Sequence, residues 1–255
     1  MKKYASLAIA ALAMGMFVCS MGCAKNDEAT VKTLRMVTEA TFPPYEYREA
    51  GEIVGIDVDI VTEAARRIGY TVSIEDMAFN SVIAAVQSGK ADIAASGITV
   101  TEERKKNVNF TIPYVTAKQV ILVPVDSPIK SAEDLKDKRI GVQMSTTGDI
   151  YVTENIGAPQ RFENSAILVA TLVAGKLDAG VLDDAPAGEY VKNNPQLHIL
   201  KEALTFEDYA FAISKKNPEL LAKFNAAMEE MKADGTMAKI FAKYEEKKDA
   251  AADAQ

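Results

Sequence analysis

Tryptophan is absent from the 255 residues, and the only histidine is His198. A catalytic triad or a metal site that needs histidine would therefore have to include His198. Basic residues are also scarce, because 29 lysines and arginines stand against 36 acidic residues and give a net charge of −7. A net acidic chain is a poor general binder of phosphate backbones, so nucleic-acid binding is not expected. Apolar residues make up 48% of the chain, which is enough for a globular fold with a buried core.

Cysteine is nearly absent as well, since Cys19 and Cys23 are the only two and both lie close to the start. The chain after Cys23 therefore cannot form a disulfide, and its stability must come from packing. With so few histidines and cysteines, the sequence predicts neither a metal site nor a cofactor.

The first residues predict export. Two lysines precede an apolar stretch, Leu7–Val18, that is typical of a secretory signal and too short for a transmembrane helix. Ser20–Cys23 then resembles a bacterial lipobox, so we predict a lipoprotein signal peptide over residues 1–22, lipidation of Cys23 and a linker over residues 23–33. Lipid chains on Cys23 would tether the protein to a membrane surface without spanning it. The alternative is conventional cleavage nearby, which would leave a soluble periplasmic protein.

After the linker, apolar periodicity predicts strands that alternate with helices, a pattern typical of mostly parallel sheets covered on both faces. The sequence Gly89-Lys90-Ala91-Asp92, between a helix and a short buried strand, returns as Gly175-Lys176-Leu177-Asp178 in an equivalent context. We interpret this repetition as two βαβ lobes of similar plan. The predicted first lobe is discontinuous and comprises residues 34–119 and 208–244, whereas the second comprises residues 120–207.

The chain is predicted to cross between the lobes twice, once near Gln119–Pro124 and once near Phe206–Ile213. Two connections of this kind would form a hinge. A last helix is predicted to end at Tyr244, and residues 245–255, which are rich in charge and alanine, are predicted to be a flexible tail.

Polar residues follow the predicted strands, and ligands of open parallel sheets bind at the carboxyl ends of strands. In the first lobe, Arg104 lies in the first turn of a predicted helix, where a cation opposes the helix dipole. A ligand carboxylate would explain this position, because a planar guanidinium binds carboxylates bidentately. Hydroxyl and N–H groups between Ser96 and Thr99 could assist. The alternative is a local salt bridge from Arg104 to Glu102 or Glu103.

The second lobe offers complementary groups. Asp183 and Asp184 end a buried strand, where a carboxylate could accept an ammonium group, although Asp184 also suits a helix N-cap. The segment Gln143–Gly148 follows another core strand and supplies hydroxyl and N–H groups at a helix start, a common anion site. Anion-binding groups in one lobe and an acid in the other together predict a clamp for a zwitterion, that is, an α-amino acid.

Phe42 and Phe79 could stack on a ligand side chain, and Glu39 could meet a polar or cationic group. The alternative places the rings in the core and Glu39 in a solvent-facing turn. Glu39, Gln143 and Asp183 would together give a polar pocket that tolerates a cationic side chain such as that of arginine, histidine or lysine. Glutamine and cystine stay open as ligands.

Four segments resemble family 3 solute-binding proteins, the polar-amino-acid receptors of ABC importers, in both order and spacing. They are Thr38–Tyr47, Val54–Asp59, Ser96–Arg104 and Gly141–Gly148. The resemblance extends over about residues 34–244. It implies an α/β, two-lobed periplasmic-binding-protein type II fold, in which each lobe is a mostly parallel sheet flanked by helices and two strands form the hinge. One departure is Ser145, because the family usually has glycine there.

The resemblance also implies roles for residues. Arg104 would hold the ligand carboxylate, Asp184 would take the α-amino group, and two rings would flank the side chain. The predicted ligand-binding residues are Glu39, Phe42, Phe79, Ser96, Gly97, Thr99, Arg104, Gln143, Thr146, Thr147 and Asp184. The implied partners are a free amino acid and the membrane subunits of an ABC permease, and the receptor is expected to be a monomer.

The mechanism implied is capture by closure of the lobes, with no bond made or broken. The main alternative is a periplasmic enzyme on the same fold, of the dehydratase or lytic transglycosylase type. Such an enzyme would need a positioned acid or base, for which Glu39 or Asp183 would be candidates. A second alternative is the sensor ectodomain of a larger receptor.

Overall fold

A computed structural model describes the backbone of residues 32–253 and the side chains of residues 32–245. The predicted signal peptide, Cys23 with its predicted lipidation, and most of the predicted linker lie outside the described residues. Within the part that is described, no helix has both the length and the apolar character that crossing a membrane requires.

Strands and helices alternate along the chain, as the apolar periodicity predicts. The strands are β1 (Lys32–Thr38), β2 (Thr41–Phe42), β3 (Glu46–Glu49), β4 (Glu52–Val54), β5 (Tyr70–Asp76), β6 (Ile93–Ala94), β7 (Val108–Phe110), β8 (Val115–Pro124), β9 (Ile140–Gln143), β10 (Gln160–Phe162), β11 (Ala179–Asp183), β12 (Leu197–Tyr209) and β13 (Ala212–Ser214). The helices are α1 (Ile56–Arg67), α2 (Phe79–Ser88), α3 (Glu102–Lys105), α4 (Thr147–Asn155), α5 (Ser165–Val173), α6 (Asp184–Lys192), α7 (Pro218–Ala233) and α8 (Thr236–Asp253). The last helix thus continues past the predicted end at Tyr244.

Two five-stranded sheets share one plan. The first has the order β5-β1-β6-β13-β7, and the second has the order β10-β9-β11-β8-β12. In each sheet three parallel strands come first, namely β5-β1-β6 and β10-β9-β11, and an antiparallel strand follows. We call each sheet with its helices a lobe, so the fold is the predicted two-lobed α/β architecture. A small three-stranded sheet, β2-β3-β4, follows β1.

The repeated Gly-Lys-X-Asp sequence ends in the same ion pair in both lobes. Asp92 accepts hydrogen bonds from the backbone N–H of Arg35 at 2.9 Å and from its guanidinium at 2.9 and 3.1 Å. Asp178 binds the backbone N–H of Arg139 at 2.8 Å and its guanidinium at 2.6 and 3.1 Å. Each aspartate therefore fixes the start of its short buried strand to the strand beside it.

Apolar side chains cover both faces of each sheet, because successive strand residues point to opposite sides. In the first lobe, Met36 packs with α1 and α7, whereas the next residue, Val37, packs with α2. In the second lobe, Ile121 and Leu122 divide in the same way between two separate clusters. Burial on both faces explains the nearly continuous apolar runs that the sequence shows in these strands.

The two connections between the lobes are paired with each other. Strand β8 leaves the first lobe and β12 returns to it, and they pair antiparallel from Val115 opposite Tyr209 to Pro124 opposite Leu197, with irregularities between Ile199 and Thr205. This pair forms the two-strand hinge that the sequence predicts. The predicted boundaries at residues 119/120 and 207/208 fall within these strands and stay a prediction.

Candidate ligand-binding site

A cavity lies where the carboxyl ends of the parallel strands of both lobes meet. It is lined by Glu39, Phe42, Phe79, Ser96, Gly97, Thr99, Arg104, Gln143, Thr146, Thr147 and Asp183. All of the predicted ligand-binding residues therefore face this one space, with the exception of Asp184. Whether they bind a ligand stays a prediction that the geometry makes specific.

Arg104 projects into the cavity from the first turn of α3. The Thr101 side chain caps this helix by accepting a hydrogen bond from the Arg104 backbone N–H at 3.1 Å. The guanidinium donates to the carbonyl oxygen of Thr99 at 2.8 Å and to that of Ser145, in the other lobe, at 3.1 Å. It also lies 5.3 Å from the centre of the Phe79 ring.

The local salt bridge considered for Arg104 does not form. Glu102 pairs instead with Lys105 at 2.8 Å, and Glu103 pairs with Lys106. Burial lowers the pKa of Arg104, but an arginine stays charged at any physiological pH. A half-buried cation that lacks a carboxylate partner among the described residues is well suited to bind an anionic group from outside.

The acid of the second lobe that lines the cavity is Asp183, whereas Asp184 does not line it, and ligand binding by Asp184 stays a prediction. Asp183 ends β11, its side chain is buried, and the Tyr209 hydroxyl donates a hydrogen bond to it. Asp184 begins α6, and its carboxylate turns to the backbone N–H groups of Lys118 at 3.3 Å and Ala185 at 3.0 Å. Neighbouring residues at a strand end point in different directions, and here Asp183 rather than Asp184 is among the residues that line the cavity.

Burial of Asp183 has an electrostatic consequence. Removal from water raises its pKa to about 7, although the hydrogen bond from Tyr209 opposes the shift. A carboxyl group in this state gains from a nearby cation, because the cation stabilises the charged form. Asp183 thus offers the cavity an acceptor that becomes stronger when a cationic ligand arrives.

Glu39 is the acid that the first lobe contributes. It follows β1, is 5% exposed, and accepts hydrogen bonds from the Thr41 hydroxyl at 2.7 Å and from the Gln143 amide of the second lobe at 3.3 Å. Burial raises its pKa. The alternative of a solvent-facing turn is therefore wrong, and Glu39 faces the cavity together with the amide.

Two buried acids that are not among the predicted site residues support the Ser96-Gly97 segment. The Gly97 backbone N–H donates to Asp57 at 3.0 Å, and the Ser96 hydroxyl donates to Glu46 at 3.2 Å. The Tyr114 hydroxyl also donates to Asp57, at 2.6 Å. Burial raises the pKa of Glu46 and raises that of Asp57 to about 6. An acid inside the apolar run Val54–Val58 was the available sequence signal.

Gly97 is required at its position for two reasons. Its φ is +51°, in the left-handed region, and an added Cβ would lie 2.6 Å from the Phe42 ring. Phe42 itself is buried and stacks on Tyr45 with ring centres 6.0 Å apart. The ring therefore forms part of the cavity wall and of the core at once.

The loop before α4 carries the groups of the second lobe that are predicted to bind an anion. Thr146 caps α4 by accepting a hydrogen bond from the Asp149 backbone N–H at 3.2 Å, and its own hydroxyl donates to the Gln143 carbonyl at 2.8 Å. Ser145 has φ +66°, which explains why glycine is usual in the family. Asp149 holds this conformation by accepting the Ser145 N–H at 3.1 Å, and it is itself paired with Arg161 at 2.9 Å.

Hydrogen bonds join the lobes across the cavity. Besides Arg104 with Ser145 and Glu39 with Gln143, the Tyr190 hydroxyl of α6 donates to the carbonyl of Thr41 at 2.8 Å. The structure is therefore the closed form, in which the lobes meet around an enclosed space.

A cavity enclosed by two hinged lobes, with a cation and acids facing it, defines a two-lobed binding protein for a small polar solute. The chain matches the family of bacterial extracellular solute-binding proteins, family 3, over residues 34–247. It belongs to that family and is therefore an exported solute-binding protein.

Several relatives are similar over nearly their whole length. The chain is 33% identical to a probable histidine-binding protein of Neisseria gonorrhoeae, in an alignment that covers 96% of each chain. It is 34% identical to the arginine-binding extracellular protein ArtP of Bacillus subtilis (strain 168), over 96% of this chain and 98% of that protein. Among solved structures, an ancestral arginine-binding protein bound to arginine matches with a TM-score of 0.79 and 42% identity, over 83% of this chain and 97% of the other.

Proposed function

We propose that the protein is the substrate-binding receptor of an amino-acid ABC importer and that its ligand is a cationic L-amino acid, with arginine the first candidate. The observation that carries the proposal is the charge pattern of the cavity, in which one guanidinium, Arg104, faces two carboxyl groups, Glu39 and Asp183. An amino acid with a cationic side chain has the opposite pattern, with one negative and two positive groups. The names of the relatives, which are arginine- and histidine-binding proteins, support the same ligand class.

Each charge of the ligand has a counterpart. The α-carboxylate binds Arg104, because a guanidinium can present two parallel N–H groups to a carboxylate. The α-ammonium binds an acid of the second lobe, Asp183 in the closed form, and the side-chain cation binds Glu39. The stem of the side chain lies between the rings of Phe42 and Phe79, which line the same cavity.

Capture follows from the position of these groups on different lobes. Arg104 and Glu39 belong to the first lobe, whereas Asp183 and Gln143 belong to the second, so a bound amino acid bridges them. A ligand with contacts to both lobes binds the closed form better and shifts the equilibrium toward it. The permease then recognises the closed form, so that conformation reports occupancy.

We propose further that the protein catalyses no reaction. Residues of both lobes close over the cavity, which suits a solute the size of an amino acid better than a glycan strand. This argues against an enzyme of the lytic transglycosylase type. The other alternative, an enzyme of the dehydratase type that acts on a small substrate, is tested by mass spectrometry. Arginine incubated with the protein is expected to be recovered unchanged, and conversion of any bound solute would favour the enzyme.

Calorimetric titration with three related compounds tests the ligand assignment. L-Arginine is expected to bind, and to raise the melting temperature because it binds only the folded state. Agmatine lacks the carboxylate and should bind much more weakly, since Arg104 then has no partner. L-Citrulline keeps the shape of arginine without the side-chain charge and should lose about 10- to 100-fold in affinity, the value of one charged hydrogen bond. Equal affinity for arginine and citrulline would contradict the role of Glu39.

Variants assign the individual contacts. Arg104→Ala is expected to abolish the arginine-induced thermal shift, while Lys105→Ala, in the next residue of the same helix, serves as the matched control. Asp183→Asn and Asp184→Asn form a second matched pair. The geometry predicts a large loss only for Asp183→Asn, whereas a large loss only for Asp184→Asn would restore the role that the family resemblance implies.

The membrane-proximal part of the proposal concerns Cys23. We propose that it carries the lipid anchor, that the receptor acts as a monomer at the membrane surface, and that it delivers its ligand to the permease. Cys23→Ala is expected to release the protein from the membrane fraction and to abolish incorporation of labelled palmitate. A released, unlabelled wild-type protein would instead favour conventional cleavage.

A further inference from the structure

Glu207 is a buried carboxylate beside the cavity that the ligand contacts proposed above do not use. It lies near the end of β12, where this strand returns from the second lobe to the first, and the residue is 7% exposed. No sequence pattern marks it, because it lies far along the chain from the other site residues and in a strand with many polar positions. Buried carboxylates need hydrogen-bond partners, and those of Glu207 are three threonine hydroxyls.

Three threonine hydroxyls bind the Glu207 carboxylate. Thr99 and Thr147 each donate to the same oxygen, Oε2, at 2.6 Å. Thr205 donates to the other oxygen, Oε1, also at 2.6 Å. Hydrogen bonds of a hydroxyl to an ionised carboxylate are shorter and stronger than bonds between neutral groups, and these distances are in that range.

The three hydroxyls come from different parts of the molecule. Thr99 follows β6 in the first lobe, Thr147 begins α4 in the second lobe, and Thr205 lies two residues before Glu207 in the hinge strand β12. One carboxylate oxygen therefore joins a residue of each lobe, while the other oxygen fixes the carboxylate to the hinge. Any opening that separates Thr99 from Thr147 must break at least one of the two bonds to Oε2.

We propose that Glu207 is a positioning residue that stabilises the closed form by holding Thr99 and Thr147 to one carboxylate oxygen. The contact needs no ligand, so it favours closure in the empty protein as well as in the occupied one. It also joins two residues that line the cavity, and it thereby slows the opening that releases a bound solute.

Small-angle X-ray scattering of the ligand-free protein tests the inference directly. Glu207→Gln keeps the size of the side chain and removes its charge, so it is expected to shift the equilibrium toward the open form by about 10- to 100-fold, the value of a hydrogen bond to a charged group. The radius of gyration should therefore be larger than that of the wild type. The matched control is Asp208→Asn, because the neighbouring Asp208 accepts a Thr116 hydroxyl at 2.9 Å within the β8–β12 pair and joins no lobes. This control should scatter like the wild type.

The dissociation rate of arginine gives a second measurement, and it is monitored through the stopped-flow fluorescence of a competing ligand. Glu207→Gln should release arginine about 10-fold faster or more, and Asp208→Asn should not. If Glu207→Gln fails to fold, Thr147→Val, which removes one of the two bonds between the lobes, should give the larger radius instead. Equal radii of gyration for the wild type, Glu207→Gln and Thr147→Val, or an unchanged rate of arginine release, would overturn the inference.

The two measurements separate this inference from the proposed function, on which only the release measurement rests. If arginine fails to bind the wild type but Glu207→Gln enlarges the ligand-free protein, the ligand assignment fails and the role of Glu207 stands. If arginine binds the wild type and Glu207→Gln behaves like Asp208→Asn in scattering and in release, the role of Glu207 fails alone.

Discussion

Lowering the pH from about 8 to about 5 is expected to weaken arginine binding by about 100-fold. The reason is Asp183. Burial raises the pKa of this residue to about 7 in the ligand-free protein. The ligand ammonium binds the charged form of the Asp183 carboxylate and therefore lowers the pKa of this group again. Below about pH 7, Asp183 must lose a proton when the ligand binds. The affinity then falls about 10-fold for each pH unit below about 7, which over this range amounts to about 2.7 kcal/mol.

The sign for stability is the opposite in the ligand-free protein. A carboxyl group whose pKa is raised by folding stabilises the fold in its protonated form. The contribution of Asp183 is therefore complete below about pH 4, near its ordinary pKa of 3.8, and is lost as the pH rises through about 7. Ligand binding should recover stability in the pH range where the empty protein loses it.

Isothermal titration calorimetry in buffers of different ionisation enthalpy measures both the affinity and the number of protons released. We expect about one proton released per arginine near pH 6 and a smaller number near pH 8. Asp183→Asn should bind arginine weakly, and its affinity should depend less on pH. The pH dependence that persists is expected to come from Glu39, because burial also raises the pKa of Glu39. An affinity that stays constant from about pH 8 to about pH 5, with no proton released, would refute the reasoning.

Three further predictions concern single residues. Gly97→Ala should lower the free energy of unfolding by at least about 1–2 kcal/mol in urea titrations and weaken the arginine-induced thermal shift, because φ is +51° and the new Cβ would meet the Phe42 ring; an unchanged Tm would contradict this. Ser145→Gly should raise the free energy of unfolding by up to about 1 kcal/mol, since φ is +66° there, and a loss of stability would show that the side chain has another role. Phe224→Ala, at a fully buried position of the first lobe's core, should lower the free energy of unfolding by about 3–5 kcal/mol while the arginine affinity of the folded protein persists.

The fold could be predicted from the sequence because its signals are local. Asn164 and Asn217 cap α5 and α7 with their side chains, and Gly89 ends α2 in the left-handed conformation. Apolar periodicity gives the strands and helices between such signals. The repeated Gly-Lys-X-Asp sequence then indicates that the plan occurs twice, since it ends in an equivalent ion pair in each lobe.

The site was less predictable where direction or distant contacts matter. Asp183 and Asp184 are adjacent and chemically identical, and only the point where β11 ends and α6 begins decides which of them faces the cavity. Glu207 gains its meaning from Thr99 and Thr147, which lie 108 and 60 positions away along the chain. No local sequence pattern contains that relation, because it arises only when the chain is folded.

The pairing of β8 with β12 has a consequence for how the molecule moves. A ribbon of two hydrogen-bonded strands bends readily across its thin dimension but resists stretching along its length and sliding of one strand past the other. The Thr116 hydroxyl, bound to Asp208 at 2.9 Å, adds a cross-link within the ribbon. Such a connection restricts the relative motion of the two lobes to bending along a single arc. The empty receptor should therefore open and close along one reproducible path. Each closure should return the charged groups of the two lobes to the same relative positions in the cavity.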